Sequence, residues 1–431
     1  MTRRALVALV VFGTAFVAGA TPADAQECPN PAAVTRDLAL PFSAVRYLAD
    51  DALKGRLAGS DGERCAGDFI ASEFTRLKLR PAGENGTFFQ TVPLASVLNP
   101  HAAGGTGRNV IAALDGADPV LRREWVVIGA HYDHLGEGGT PNSLAPGERA
   151  IHNGADDNAS GTSAVLRAAE LLTRGPRPQR SVLFIAFTGE ESGLLGSAHF
   201  VANPTMGTGA ITAMLNLDMV GRLGTGTLIV YGVDTAEEWR TLVEPAATRA
   251  QVTMATRGEG FGPSDHTSFY VKDIPVIHFF TNTHGDYHRP GDDWNKIDGP
   301  GLEKISNMVT DIATRVANRQ EKLTLKRGAG EPLRGNNLGG GSGAYLGSVP
   351  DFTPVERGVK LSGVTAGSPA DKAGVKAGDV ILAIGGRDVT DLQAMTDALN
   401  AFKPGDSTTV LVLRGTERLT LNVTLGSRAS R

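Results

Sequence analysis

The stretch Ser181-Val182-Leu183-Phe184-Ile185-Ala186-Phe187-Thr188-Gly189-Glu190-Glu191-Ser192-Gly193 decides how this chain is read. From Ser181 to Phe187 it is apolar almost without interruption, the pattern of a strand buried on both faces of a sheet. At Gly189 the apolar run ends in two adjacent carboxylates. Like charges side by side raise each other's pKa, and burial at a strand end adds to the cost. A nearby cation would remove the conflict.

Working outward, the same grammar recurs. Trp125-Val126-Val127-Ile128-Gly129-Ala130, Ala213-Met214-Leu215-Asn216-Leu217 and Pro275 to Phe280 read as further buried strands. Ser160 to Leu172 and Gly301 to Ala317 carry helical periodicity. Val45 to Leu79 reads as helix with one break, at the small-residue turn Leu53-Lys54-Gly55-Arg56-Leu57-Ala58-Gly59-Ser60. Strands alternating with helices predict an α/β fold with a mostly parallel central sheet flanked by helices. In such sheets ligands gather at the carboxyl ends of the strands.

Metal-binding residue types fall at those ends. His131 closes the 125–130 run and Asp156-Asp157-Asn158 precedes the 160–172 helix. Asp218 closes the 213–217 run, and His288 lies in the loop after 275–280. Each alone has an ordinary explanation: Asp-Asp-Asn is a common helix cap, and a Glu pair suits a helix start. Together they bring two histidines and three or four carboxylates to one sheet edge. That count suits two zinc ions with one carboxylate bridging them, and the mixed imidazole and carboxylate set suits zinc.

The chain's 431 residues are 20% charged, with a formal net charge of −4. That is a globular composition with room for two or three domains, and no basic excess points to nucleic acid or an anionic membrane. Arg3 and Arg4, the apolar run Ala5 to Ala20 and Ala23-Asp24-Ala25 read as a secretory signal over residues 1–25, which leaves no stable membrane span after cleavage. The expected location is secreted or periplasmic. There the two cysteines, Cys28 and Cys65, would pair; two free thiols are the alternative.

The motifs Gly129-Ala130-His131-Tyr132-Asp133, Gly154-Ala155-Asp156-Asp157-Asn158-Ala159-Ser160-Gly161, Thr188-Gly189-Glu190-Glu191-Ser192-Gly193, Asn216-Leu217-Asp218-Met219, Ser264-Asp265-His266-Thr267-Ser268-Phe269 and Tyr287-His288 resemble those of the di-zinc aminopeptidases and carboxypeptidases of the bacterial leucyl aminopeptidase and glutamate carboxypeptidase type. The likeness runs from about Leu40 to Ala317. It implies a zinc exopeptidase fold in which His131 and Asp218 hold one zinc and Glu191 and His288 the other. Asp157 would bridge, with Asp156 the competing choice, and the Asp157–Asn158 peptide would be cis. Glu190 would be the catalytic base and acid, acting on a metal-bound water, and Asp133 would orient His131. Arg289 departs from the pattern, where relatives often carry Thr, while Asp292 keeps its later position. Tyr287 would either help hold an oxyanion or pack. The implied activity is removal of N-terminal residues from peptide substrates. A carboxypeptidase, a dipeptidase, a cyclase of the glutaminyl type with one zinc, or a non-catalytic binding protein are the alternatives.

Residues 26–326 are thus expected to form the peptidase domain and 327–343, with Gly339 to Gly341, a linker. Residues 344–431 resemble a PDZ domain in Tyr345-Leu346-Gly347 and in Ser368-Pro369-Ala370-Asp371-Lys372-Ala373-Gly374 through Gly378-Asp379-Val380-Ile381. The unit contains the run Gly378 to Gly386; a helix is predicted near 392–402 and two alternating strands at 408–413 and 418–425. The resemblance implies that Tyr345, Leu346 and Gly347 form a loop receiving a peptide's C-terminus; a unit that only docks on the peptidase is the alternative.

Overall fold

The computed structural model describes residues 27–427 except 36–37, 95–104, 139–141, 146–147, 207–210, 328–343, 352–354, 356, 366, 391–393, 396–397 and 400. The expected signal segment and linker, and part of the helix expected near 392–402, lie outside the described residues.

The large sheet contains β1 (Arg80–Pro81), β2 (Phe89–Pro93), β3 (Thr106–Leu114), β4 (Trp125–His131), β5 (Ser181–Phe187), β6 (Ile211–Leu217), β7 (Leu228–Tyr231), β8 (Met254–Thr256) and β9 (Val276–Phe280). Its order is β1-β3-β5-β4-β6-β9-β7-β8, with β2 also on β3. The centre, β5-β4-β6-β9, is parallel; β3 and β7 join it antiparallel. The α/β class with a mostly parallel core is as expected. The 181–187 strand matches its predicted bounds, and β4, β6 and β9 shift by one or two residues. Strands β1, β2, β3, β7 and β8 were not foreseen, nor was the Trp239–Ala250 helix. The end of β3, Val110-Ile111-Ala112-Ala113-Leu114, is apolar without alternation and reads as helix or strand. Pro245 inside the helix reads as a breaker.

Strand β5 shows why the centre holds. Every residue from Ser181 to Phe187 is buried, and successive side chains take opposite faces. Val182, Phe184 and Ala186 pack with the helices Phe42–Leu48, Asp61–Arg76, Gly161–Arg174 and Gly299–Asn318. Leu183, Ile185 and Phe187 pack on the other face with Phe200, Met214 and Phe269. Gly129 lies beside Phe187: a Cβ there would stand 2.6 Å from its ring. The register sets His131 opposite Phe187 on β5 and Gly129 opposite Asn216 on β6, so the three strands end at one rim.

Cys28 and Cys65 form a disulfide that ties the start of the described chain to the Asp61–Arg76 helix. Among the described residues no helix is long and apolar enough to cross a membrane. The C-terminal unit is an antiparallel sheet built on Val359–Val364, Val380–Ile384, Ser407–Arg414 and Glu417–Thr424. Leu346, Leu361, Ile381, Ile384, Val410 and Val412 form its core.

Candidate metal centre

At the rim of the large sheet the five expected ligands converge. His131, the last residue of β4, has Nε2 3.3 Å from Asp218 Oδ1 and 3.3 Å from Asp157 Oδ1. His288 has Nε2 3.1 Å from Asp157 Oδ2 and 3.4 Å from Glu191 Oε2. The two oxygens of Asp157 therefore face two different histidines. Glu190 Oε2 lies 4.0 Å from His131 Nε2.

Asp156, the competing choice, points elsewhere. Its Oδ1 accepts from Gly221 N at 2.6 Å and from Ser160 Oγ at 3.0 Å, and its Oδ2 lies 3.2 Å from His284 Nε2. The Asp157–Asn158 peptide is cis, as the resemblance implied. Asn158 Nδ2 donates to Leu217 O and its Oδ1 accepts from Gly161 N and Met219 N, which pins the turn to the end of β6.

Asp133 is placed differently from a simple imidazole orienter. The His131 Nδ1 lies 3.2 Å from the Asp133 backbone carbonyl and 3.7 Å from its carboxylate. That carboxylate instead accepts from Glu190 N at 3.1 Å. It thereby links the loop after β4 to the backbone of the Glu pair. Tyr287 stacks on His288, ring centroids 3.9 Å apart.

Three contributors were missed. His134 Nδ1 lies 2.7 Å from Glu191 Oε1 and 4.0 Å from Asp157 Oδ2, fully buried. Its place one residue past Asp133 was the available signal. Asp292 Oδ2 accepts from the backbone N–H of Asp156 at 2.8 Å and of Asp157 at 3.1 Å, while its Oδ1 accepts from Arg222 at 2.8 Å. Ser264 Oγ donates to Asp218 Oδ2 at 2.8 Å. For these last two the residues were in view, but nothing local shows which carboxylate or amide they reach.

The electrostatics match a cation site. Burial disfavours charge on His131 and His288, yet the surrounding carboxylates carry both pKa values well above the usual imidazole value. Burial pushes Asp157 and Glu191 up, but the histidines outweigh it and hold both well below the usual range. Glu190 is driven well up, first by burial and then, against the pull of His131, by its acidic neighbours. The donors fit zinc. His131, Asp157 and Asp218 form one trio, and His134, Asp157 and Glu191 another; within each trio the ligand atoms lie within 4.8 Å of one another. Asp133 Oδ2 and His134 Nε2 are buried beside them without a hydrogen-bond partner among the described residues.

Rim carboxylates and histidines ordered in this way on a helix-flanked sheet form a candidate metal site, and with the comparisons below they give the class: a zinc metallopeptidase, a hydrolase. The comparisons with known proteins agree. Residues 109–313 match the model of peptidase family M28 and residues 346–425 that of the PDZ domain, so the chain carries an M28 peptidase domain followed by a PDZ domain. Leupeptin-inactivating enzyme 1 of Streptomyces exfoliatus is 27% identical over 386 residues, covering 85% of this chain and 80% of that protein. Aminopeptidase YwaD of Bacillus subtilis is 29% identical over 219 residues, covering 47% of this chain and 43% of that protein. The crystal structure of the LapA aminopeptidase of Legionella pneumophila superposes with a TM-score of 0.52 at 20% identity, covering 70% of this chain and 79% of that one, a likeness of fold.

Proposed function

We propose that the protein is an exported aminopeptidase with two zinc ions, in which residues 26–326 form the catalytic domain. The observation that carries this reading is the division of Asp157, Oδ1 toward His131 and Asp218, Oδ2 toward His288 and Glu191. One carboxylate facing two donor sets is what a bridging ligand requires. His131 and Asp218 would hold one ion and Glu191 and His288 the other. Zinc there would acidify water and polarise a scissile carbonyl.

The chain's own groups do the rest. Glu190 stands beside the site, its backbone N–H held by Asp133 and its carboxyl 4.0 Å from His131 Nε2. It takes a proton from the attacking water as the carbon–oxygen bond forms. It returns that proton to the amine nitrogen as the peptide bond breaks. Removal of N-terminal residues is favoured because the Bacillus relative is an aminopeptidase. Residues 1–25 would direct export and be removed, 327–343 would link the domains, and 344–431 would form the PDZ domain. There Tyr345, Leu346 and Gly347 would receive a peptide C-terminus. Leu346 is buried and its carbonyl accepts from Ala370 N at 2.8 Å, which anchors this loop to the Pro369–Ala373 helix.

The test is hydrolysis of matched peptides with free and blocked N-termini by zinc-loaded and chelator-stripped protein. Cleavage of the free peptides alone, dependent on zinc, is expected. Equal cleavage of blocked peptides would reject the aminopeptidase reading, and full activity after stripping would reject the metal reading. A zinc content near one ion per chain would favour the cyclase alternative.

A further inference from the structure

Within the small-residue turn at 53–60 only Lys54 is exposed, while Leu53, Gly55, Arg56 and Ala58 are buried. Lys54, Gly55 and Arg56 all adopt left-handed backbone, φ 48°, 68° and 47°. A Cβ on Gly55 would lie 2.4 Å from the Gly136 carbonyl and 2.5 Å from that of His152. The twist drives Arg56 into the protein, where it has no exposed surface. Its guanidinium spends its donors on main-chain carbonyls: Nε to Tyr132 at 2.8 Å, Nη1 to Leu48 and, at 2.6 Å, to Asn153, and Nη2 to Gly154 at 3.0 Å. Among the described residues no carboxylate lies in ion-pair contact with it. The carboxylates whose fields act on it most are Asp133, Asp157, Asp292 and Glu191.

We propose that Arg56 is a positioning residue of the metal centre: it clamps the loop carrying His131, Asp133 and His134 to the loop carrying Asp157, and supplies a fixed positive charge beneath the carboxylates. This rests on the reading that the rim binds zinc. Tyr132, whose carbonyl it holds, sits between His131 and Asp133, and Gly154 precedes the turn bearing Asp157. The segment's backbone joins the same clamp, since His134 N donates to Arg56 O at 3.1 Å and Gly136 N to Gly55 O at 3.0 Å. A planar fork with five donors can hold several carbonyls at once; an ammonium on a flexible stem cannot fix that geometry. Burying an unpaired charge is costly, and a merely structural position would be served as well by apolar packing. Carboxylates gathered for a metal give this charge a reason to be here.

Arg180 supplies the control. It too is buried at 1% exposure and donates to carbonyls, those of Val316, Arg319 and Gln320, but it pairs with Glu124 and touches none of the rim loops. Full-length Arg56→Met, Arg56→Lys and Arg180→Lys would be compared with wild type by zinc titration against a chromophoric chelator. The visible spectrum of the cobalt-substituted protein and the melting temperature of the stripped protein complete the comparison. Zinc binding weakened about 10- to 100-fold, the range for groups that orient ligands, with an altered cobalt spectrum is expected for Arg56→Met, partly recovered in Arg56→Lys. Arg180→Lys should shift only the melting temperature. If Arg56→Met does not fold, Arg56→Lys decides the matter, since it keeps charge and stem and loses only the fork. Folded Arg56 variants with wild-type zinc affinity and cobalt spectrum would overturn the proposal. Wild-type protein that binds no zinc would instead overturn the metal reading on which it rests.

Discussion

The rim of the large sheet and the C-terminal unit both bury aspartate, and they neutralise it by different means. In the C-terminal unit Asp379 is fully buried and meets Arg414 through two bonds of 2.8 Å, Nε to Oδ1 and Nη2 to Oδ2, while Lys376 N donates to Oδ2 at 2.9 Å. Burial alone would raise that carboxyl, but the guanidinium draws it below the usual range. The charge is closed within the fold. At the rim, Asp133, Asp157, Glu190, Glu191 and Asp218 make no ion pair with Lys or Arg among the described residues; their charged partners are histidines. The guanidinium of Arg56, on which the fields of Asp133, Asp157 and Glu191 act, is spent on carbonyls. A structural aspartate carries its own counter-ion, whereas a metal site leaves its negative charge open to the incoming cation.

The largest expected effect tests the open side of this contrast. Glu190→Gln should keep zinc and lose turnover by about 10²- to 10⁴-fold, the range for a proton-transfer group. Near-normal peptide cleavage with full zinc content would break the assignment. Next, Asp292→Asn should weaken zinc binding about 10- to 100-fold, because Asp292 holds the amides of Asp156 and Asp157 and anchors to Arg222; unchanged titration would show that the turn holds itself.

The closed side predicts the opposite pattern. Arg414→Met should destabilise the C-terminal unit by about 1–3 kcal/mol, the worth of hydrogen bonds to a charged group, and leave cleavage of short peptides unchanged. A loss of turnover equal to the loss of stability would erase the distinction between the regions. The smallest effect concerns Glu63, which the fold buries with no cation at hand. It accepts from Gly59 N at 2.6 Å and bonds Thr188 Oγ1, and burial lifts it from 4.5 to about 8. A carboxyl raised in the folded state contributes stability that is fully present below pH 4.5 and lost as pH rises through 8. Melting curves from pH 4 to 9 should show this decline in wild type and a flatter profile in Glu63→Gln; identical profiles would mean that Glu63 stays ionised.

Much of this was readable along the chain, and the readable part has a common cause. The runs 125–131, 181–187, 211–217 and 276–280 are strands because a strand buried on both faces needs uninterrupted apolar residues. Metal-binding side chains at their ends gather because parallel strands all finish at one edge. Strands joined antiparallel at the margins, such as 106–114 and 228–231, were not readable, since what seats them is their partner more than their own pattern.

The sequence by itself determined the fold class, the rim and the residue types offered there, down to His131, Glu190, Glu191, Asp218 and His288. The resemblance favoured Asp157 over Asp156, and the tertiary structure adds that Asp157 faces the histidines while Asp156 turns to Gly221, because neighbouring side chains on a turn diverge. The tertiary structure alone showed His134 beside Glu191, the contact of Asp292 with the Asp157 turn and Arg56 holding the carbonyls of Tyr132 and Gly154. Those contacts join segments 57 to 135 residues apart in the chain. Periodicity records which face of an element is buried, and it carries no trace of which distant carbonyl a buried guanidinium will meet.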